Sequence, residues 1–202
     1  MTTNTPIILL GRHGAGKDTM AGLLKVIYTG VFNAKFSEYS KRFVASALDI
    51  PYEYLNDREK RNDLSATGTF GFTSDFSALD MLNVIYYGSL GDNPESKRFC
   101  EAGIRYTLSK AEYSPRVVFT DIRRLQESEA VLQYYDRLKV IVLVKDEAIG
   151  EQLEPSDSNL PDLISSLYSH KKTECHTIYR SAEDTPHKTF VKLQTLLDWR
   201  QD

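Results

Sequence analysis

Three stretches of the chain are apolar without interruption: Ile7 to Leu10, Val117 to Phe119 and Val140 to Val144. Short runs of this kind, closed at each end by polar residues, predict strands buried on both faces of a sheet. Between them the apolar positions change to helical spacing. Met20, Leu23, Leu24 and Ile27 share one face over Lys17 to Tyr28, and Phe43, Val44 and Ala47 share one over Glu38 to Leu48, which Pro51 ends. Phe76, Leu79, Leu82 and Tyr86 do the same over Asp75 to Tyr87. Further helices are expected over Glu95 to Lys110, Gln126 to Tyr135 and Thr189 to Trp199, and weaker strands over Asn33 to Ser37 and Thr177 to Tyr179. Asp57 to Asp63 reads as a solvated charged stretch, and residues 65–74, rich in Gly, Thr, Ser and Phe, as a mobile loop.

Buried strands alternating with helices imply an α/β fold with a central parallel sheet flanked by helices. A helical region at about 51–112 interrupts the alternation and is expected to be an insertion that covers a substrate. The polar segment at about 146–172, with Pro155 and Pro161, is expected to be a lid-like excursion. The 202 residues suit a single domain, 1–202, with a full core.

The first strand runs into Gly11-Arg12-His13-Gly14-Ala15-Gly16-Lys17, followed by Asp18 and Thr19, where a helix opens. Strand, G-x-x-x-x-G-K loop and helix together form the context that gives this pattern meaning. The glycines let main-chain N–H groups turn inward around phosphate oxygens, and the helix N-terminus adds its positive dipole end. Lys17 supplies a point charge to the outer phosphates of ATP, so residues 11–19 are the expected ATP-binding set. Position 18 usually carries Ser or Thr for magnesium. Here it carries a carboxylate, which suits Mg2+ through oxygen ligation and also suits a plain first-turn acid facing the helix dipole.

Asp121 follows the second buried run, at the strand end where ligands of open α/β sheets bind. It is the second expected metal-site carboxylate, with helix capping as the alternative. Arg123 is close enough in sequence to share that site and stabilise charge in phosphoryl transfer. Arg124 reads as a solvated residue at a helix start. Lys41, Arg42, Lys97, Arg98 and Arg105 form a basic pool for an acceptor phosphate.

Three segments carry a family resemblance. GRHGAGKDT, FSEYSKRFVASAL and VVFTDIRRLQESEAV resemble corresponding segments of the deoxynucleoside monophosphate kinases of tailed phages, and SKRFCEAGIRY resembles a helix of that family near the acceptor. The resemblance implies a P-loop kinase fold, ATP and Mg2+ as cofactors, a nucleoside monophosphate acceptor and a diphosphate product. It implies Lys17 and Arg123 as catalytic residues, Asp18 and Asp121 at the metal, and an acceptor set of Lys41, Arg98, Arg105, Tyr106, Asp121, Arg123 and Glu127. A P-loop kinase for another phosphorylated metabolite and a non-catalytic nucleotide binder stay open as alternatives. No N-K-x-D pattern is present, which argues against a GTPase.

Charge and cysteine content narrow the picture. With 25 basic and 28 acidic residues the net charge is −3, and nucleic acid is not an expected partner. Two cysteines, Cys100 and Cys175, make no disulfide framework and no zinc spacing. The N-terminus lacks the basic and long apolar regions of a signal peptide, and no run reaches the ~20 apolar residues of a membrane span. No membrane partner is expected. A cytoplasmic location is, in the host cytoplasm for a phage protein, and a homodimer is an open option.

Overall fold

The computed structural model describes residues 4–61, 77–82, 94–145, 158–181 and 183–199. In chain order the elements are β1 Ile7–Leu10, α1 Lys17–Ile27, β2 Val31–Ala34, α2 Ser37–Ala47, a 3-10 turn Tyr52–Asn56, α3 Arg58–Arg61, a helical stretch over 78–82, and α4 Pro94–Ala111. There follow β3 Arg116–Phe119, α5 Leu125–Tyr134, β4 Leu138–Lys145, α6 Leu160–Ser169, β5 Thr173–Arg180 and α7 Pro186–Gln194. Packing divides the chain into two compact units, Met1–Lys35 with Leu108–Asp202, and Phe36–Thr107.

The first unit holds a five-stranded sheet in the order β2-β3-β1-β4-β5, with every neighbouring pair parallel. Central β1 pairs Ile7 with Val118 on one side and with Lys139 on the other. Every residue of β1 and β3 is buried, as are the first six of β4, which is why Ile7 to Leu10, Val117 to Phe119 and Val140 to Val144 within them read as unbroken apolar runs. The chain leaves β1 toward β2 and leaves β3 toward β4, in opposite directions across the sheet. Right-handed crossovers therefore place α1 on one face and α5 on the other, opening a crevice beyond the C-terminal ends of β1 and β3. The helix contacts agree: α1 packs with α7, and α5 with α6.

The core under α1 and α7 joins Ile7, Leu9, Met20, Leu24, Ile141, Leu143, Ile178, Phe190 and Leu193. Trp199 closes it edge-on to Tyr28, with ring centroids 5.5 Å apart, and donates its indole N–H to Thr5 O at 3.1 Å. Helix α7 starts at Pro186 behind Thr185, whose hydroxyl caps Lys188 N at 3.3 Å.

The second unit has its own core of Val44, Ala45, Leu48, Leu55 and Ala78, with Tyr52, Met81 and Leu82 against it. Tyr39 lies between Phe99, at 5.1 Å, and Tyr106, at 5.6 Å. The unit takes in α2 as well as much of the expected insertion.

Several expected boundaries move. The second strand is Val31–Ala34 rather than 33–37, and β5 is much longer than Thr177 to Tyr179. Part of the expected lid is a core element. Residues Leu160–Ser169 form α6, whose Leu163 and Leu167 are buried, so its apolar face belongs to the sheet unit. The closing helix ends at Gln194, and Trp199 lies past it. The expected loop at 65–74, residues 75–76 and 83–87 of the expected helix, and residues 146–157 of the expected lid lie outside the described residues. Among the described residues no helix is long and apolar enough to cross a membrane.

Candidate functional site

The glycine loop leaves β1 through Gly11, whose φ of 144° lies in the region that side chains avoid. A Cβ there would stand 2.5 Å from Leu143 O on β4, so only glycine lets the loop start against the neighbouring strand. Gly14 and Gly16 also have positive φ, 76° and 92°. Gly16 is the N-cap of α1, which puts the unpaired N–H groups of the first helical turn at the loop. Arg12, His13, Asp18 and Thr19 are exposed around it.

Lys17 folds back over the loop. Its Nζ donates to Gly11 O at 2.6 Å and to Arg12 O at 2.8 Å. The ammonium is thereby held at the mouth of the loop, where phosphate oxygens would replace the carbonyls as acceptors.

Asp18 forms an ion pair with Lys35 at the end of β2, 2.5 Å away, and Thr120 Oγ1 lies 3.4 Å from its carboxylate. Thr120 also reaches Asn33 Oδ1, at 2.9 Å. Asp18 is exposed to solvent on one side, and partial desolvation on the side facing the loop works against its charge; the hydrogen bond and charge of Lys35, with Lys17 behind them, outweigh it and hold the carboxyl below its usual value. Asp18 is thus an ionised oxygen donor beside the phosphate loop.

Across the crevice, Asp121 and Arg123 follow β3. Leu10, Gly11, Lys17, Asp121, Ile122 and Arg123 line one cleft, and Leu160 and Leu163 of α6 complete it. Four of the sequence-predicted residues, Gly11, Lys17, Asp121 and Arg123, thus meet at the ends of β1 and β3. Arg123 is half-buried there.

Glu127 is buried beneath this turn, one helical turn into α5. Its Oε2 accepts from Arg123 N at 2.8 Å and from Arg124 N at 3.2 Å, closing the start of the helix. Its Oε1 lies 3.7 Å from Arg124 Nε. Glu127 therefore fixes the main chain that presents Arg123. Arg124 departs from expectation: it is 8% exposed rather than solvated, because its charge is the one turned inward to Glu127.

Burial pushes the Glu127 carboxyl up to about 7, against the pull of Arg124 and the two amides. A carboxyl raised on folding stabilises the native state below its unfolded value and loses that contribution as pH rises through about 7. The shift from 4.5 limits the effect to about 3 kcal/mol. Glu127→Gln keeps an acceptor for the cap and removes the titration. Its stability relative to the parent, from denaturant unfolding at pH 5 to 8, is expected to rise with pH. A constant difference would mean that Glu127 titrates alike in the folded and unfolded chain.

The remaining expected acceptor residues belong to the second unit. Lys41 Nζ donates to Asn56 Oδ1 at 2.9 Å, Tyr106 packs on Tyr39, and Arg98 and Arg105 are exposed. The side chains of Lys97 and Cys100 lie outside the described residues.

No protein-family model matches the sequence, and no curated protein does. Solved structures are similar over most of the chain. A sugar kinase from Janibacter sp. HTCC2649 is 11% identical, with 96% of this chain and 94% of that one covered and a TM-score of 0.43. The shikimate kinases of Bacteroides thetaiotaomicron and Aquifex aeolicus are each 14% identical over 95% of this chain, covering 97% and 95% of theirs, with TM-scores of 0.40 and 0.41.

The residues of the site fit a nucleotide with its metal. The loop offers inward amides and a lysine for phosphates. Asp18 and Asp121 offer the one or two carboxylates with which Mg2+ is held when phosphates supply its other ligands. Among the described residues no group of three His, Cys, Asp or Glu side chains forms a metal site of its own. Sequence reasoning missed Lys35 and Arg180. Lys35 directly follows β2 and Arg180 ends β5, both at the ligand edge of the sheet, and that position was the available signal. Arg180 donates to Ala15 O, inside the loop, at 2.8 Å.

Proposed function

We propose that this chain is an ATP-dependent phosphotransferase that converts a (deoxy)nucleoside monophosphate to the diphosphate. The observation that carries the reading is the single cleft shared by Lys17 of the glycine loop and by Asp121 and Arg123 at the end of the adjacent strand. One side of that cleft suits a phosphoryl donor, and the other brings a cation toward an acceptor.

The loop amides and Lys17 hold the donor phosphates. Asp18 and Asp121 would hold Mg2+, which when bound neutralises phosphate charge. Arg123 orients the acceptor phosphate in line with the donor and stabilises the charge spread over the moving phosphoryl group. A general base is not required, since the attacking phosphate oxygen is already ionised near neutral pH. The rate enhancement then rests on positioning and charge stabilisation. The resemblance to phage deoxynucleotide kinases supports a monophosphate acceptor, with Lys41, Arg98, Arg105 and Tyr106 assigned to its recognition.

A panel of ribo- and deoxynucleoside monophosphates, assayed with ATP and Mg2+ by separating the nucleotide products, tests the reading. Diphosphate formation from at least one member is expected. ATP consumption with a phosphorylated non-nucleotide and with no member of the panel would move the acceptor to another metabolite class. Binding of ATP without turnover on either would make the chain a nucleotide-binding protein.

A further inference from the structure

We infer that Arg180 presets the phosphate loop by pinning the Ala15 carbonyl on the outside, so that the Gly16 amide faces the phosphates. The inference rests on the phosphotransferase reading and adds a positioning residue to its site.

Arg180 is the last residue of β5, and its Nη1 donates to Ala15 O across 165 positions of sequence. Peptides are planar and, with no cis bonds here, trans, so the N–H of a peptide points opposite to its C=O. Holding Ala15 O toward Arg180 therefore turns Gly16 N–H the other way, toward the space that the loop encloses. The Ala15 amide is already used within the loop, bonding to Arg12 O at 3.1 Å. The amides of Gly16 and Lys17, at the start of α1, are then the ones whose direction matters for an anion.

Gly16 and Arg180 are sterically matched. A Cβ on Gly16 would stand 2.6 Å from Arg180 Nη1, so the guanidinium takes the place a side chain would fill. Arg180 Nε is shut away from solvent without a hydrogen-bond partner among the described residues. A buried unpaired donor is costly, and a position that keeps one holds its side chain for a contact made elsewhere on it. Here that contact is with the loop.

The test compares the parent protein with Arg180→Ala and Arg180→Lys. Affinity is measured calorimetrically for ATP and for pyrophosphate, which has no base, alongside thermal unfolding. Arg180→Ala is expected to weaken both ligands by the same factor, roughly 10-fold, as for loss of one orienting hydrogen bond. Its unfolding midpoint should stay close to the parent's. Arg180→Lys should recover part of the affinity, since its ammonium can still donate to Ala15 O but does not fill the space that the planar guanidinium occupies against Gly16.

Weakening of ATP alone would assign Arg180 to the base and overturn the inference. Unchanged binding of both ligands in a folded Arg180→Ala protein would remove Arg180 from the loop and overturn the inference as well. If Arg180→Ala does not fold, Arg180→Met, which keeps much of the side-chain volume and cannot donate to Ala15 O, decides: parent-like affinity for both ligands refutes the pinning. A parent protein that binds neither ligand would instead refute the phosphate-loop reading itself, and the inference with it.

Discussion

Replacing Lys17 with alanine is expected to lower phosphoryl transfer by about 1000-fold or more while the protein stays folded. The rate effect follows from removing a cation aimed at charge that grows in the transition state, worth about 4 kcal/mol when the site excludes water. The folding effect is much smaller. Lys17 Nζ bonds to Gly11 O and Arg12 O, part-buried and exposed contacts respectively, and losing such a contact costs about 1 kcal/mol. The core of the first unit lies elsewhere, around Ile7, Met20 and Leu24. Circular dichroism and single-turnover kinetics on the same preparation separate the two effects. A folded Lys17→Ala protein with near-parental turnover would remove the glycine loop from the chemistry.

Arg123→Ala should damage the acceptor side and spare the donor side. The guanidinium lies half-buried in the cleft with Lys17 and Asp121, within which it can meet a phosphate through two parallel hydrogen bonds. Loss of one charge-assisted contact there corresponds to about 2–4 kcal/mol, or roughly a 30- to 1000-fold fall in kcat/KM for the acceptor. Arg123→Lys should also be impaired, because the ammonium keeps the charge without the fork. ATP affinity should change little. A surface ion pair with Glu127, which would contribute ~0–1 kcal/mol, is not the arrangement found: Glu127 is buried and takes the main-chain amide of Arg123, while its ion pair is with Arg124. Acceptor kinetics unchanged by Arg123→Ala would withdraw the residue from the site and weaken the kinase reading.

The sheet was legible wherever burial was two-sided. β1, β3 and β4 lie in the middle of the sheet, and their uninterrupted apolar residues could be read directly. The edge strands could not be read so easily. β5 spells TECHTIYR, in which Ile178 is the one buried residue, so hydrophobicity marks only a fragment of it. α6 was hidden by its setting: its two buried leucines are too few to stand out behind a polar segment with prolines. The glycine loop was legible because its chemistry is local, three glycines and a lysine within seven residues.

The residues that serve the loop from a distance were not legible. Lys35 reaches Asp18 from just past β2, and Arg180 reaches Ala15 from the end of β5; apart from those places at strand ends, no local motif marks them. Arg124 was misjudged for a related reason. A charge at a helix start looks solvated, and only the fold turns it inward.

Trp199 is the chain's one tryptophan, and it sits in the seam between the two ends of the first unit, against Tyr28 and bonded to Thr5 O. Its ultraviolet emission is therefore an optical reporter of the sheet alone, blue-shifted while the indole is dry and red-shifted once water reaches it. The helices of 36–107 contribute to far-ultraviolet ellipticity but hold no such chromophore. Heating curves recorded by the two signals would superimpose for a single cooperative melting and separate where the two compact units come apart in succession.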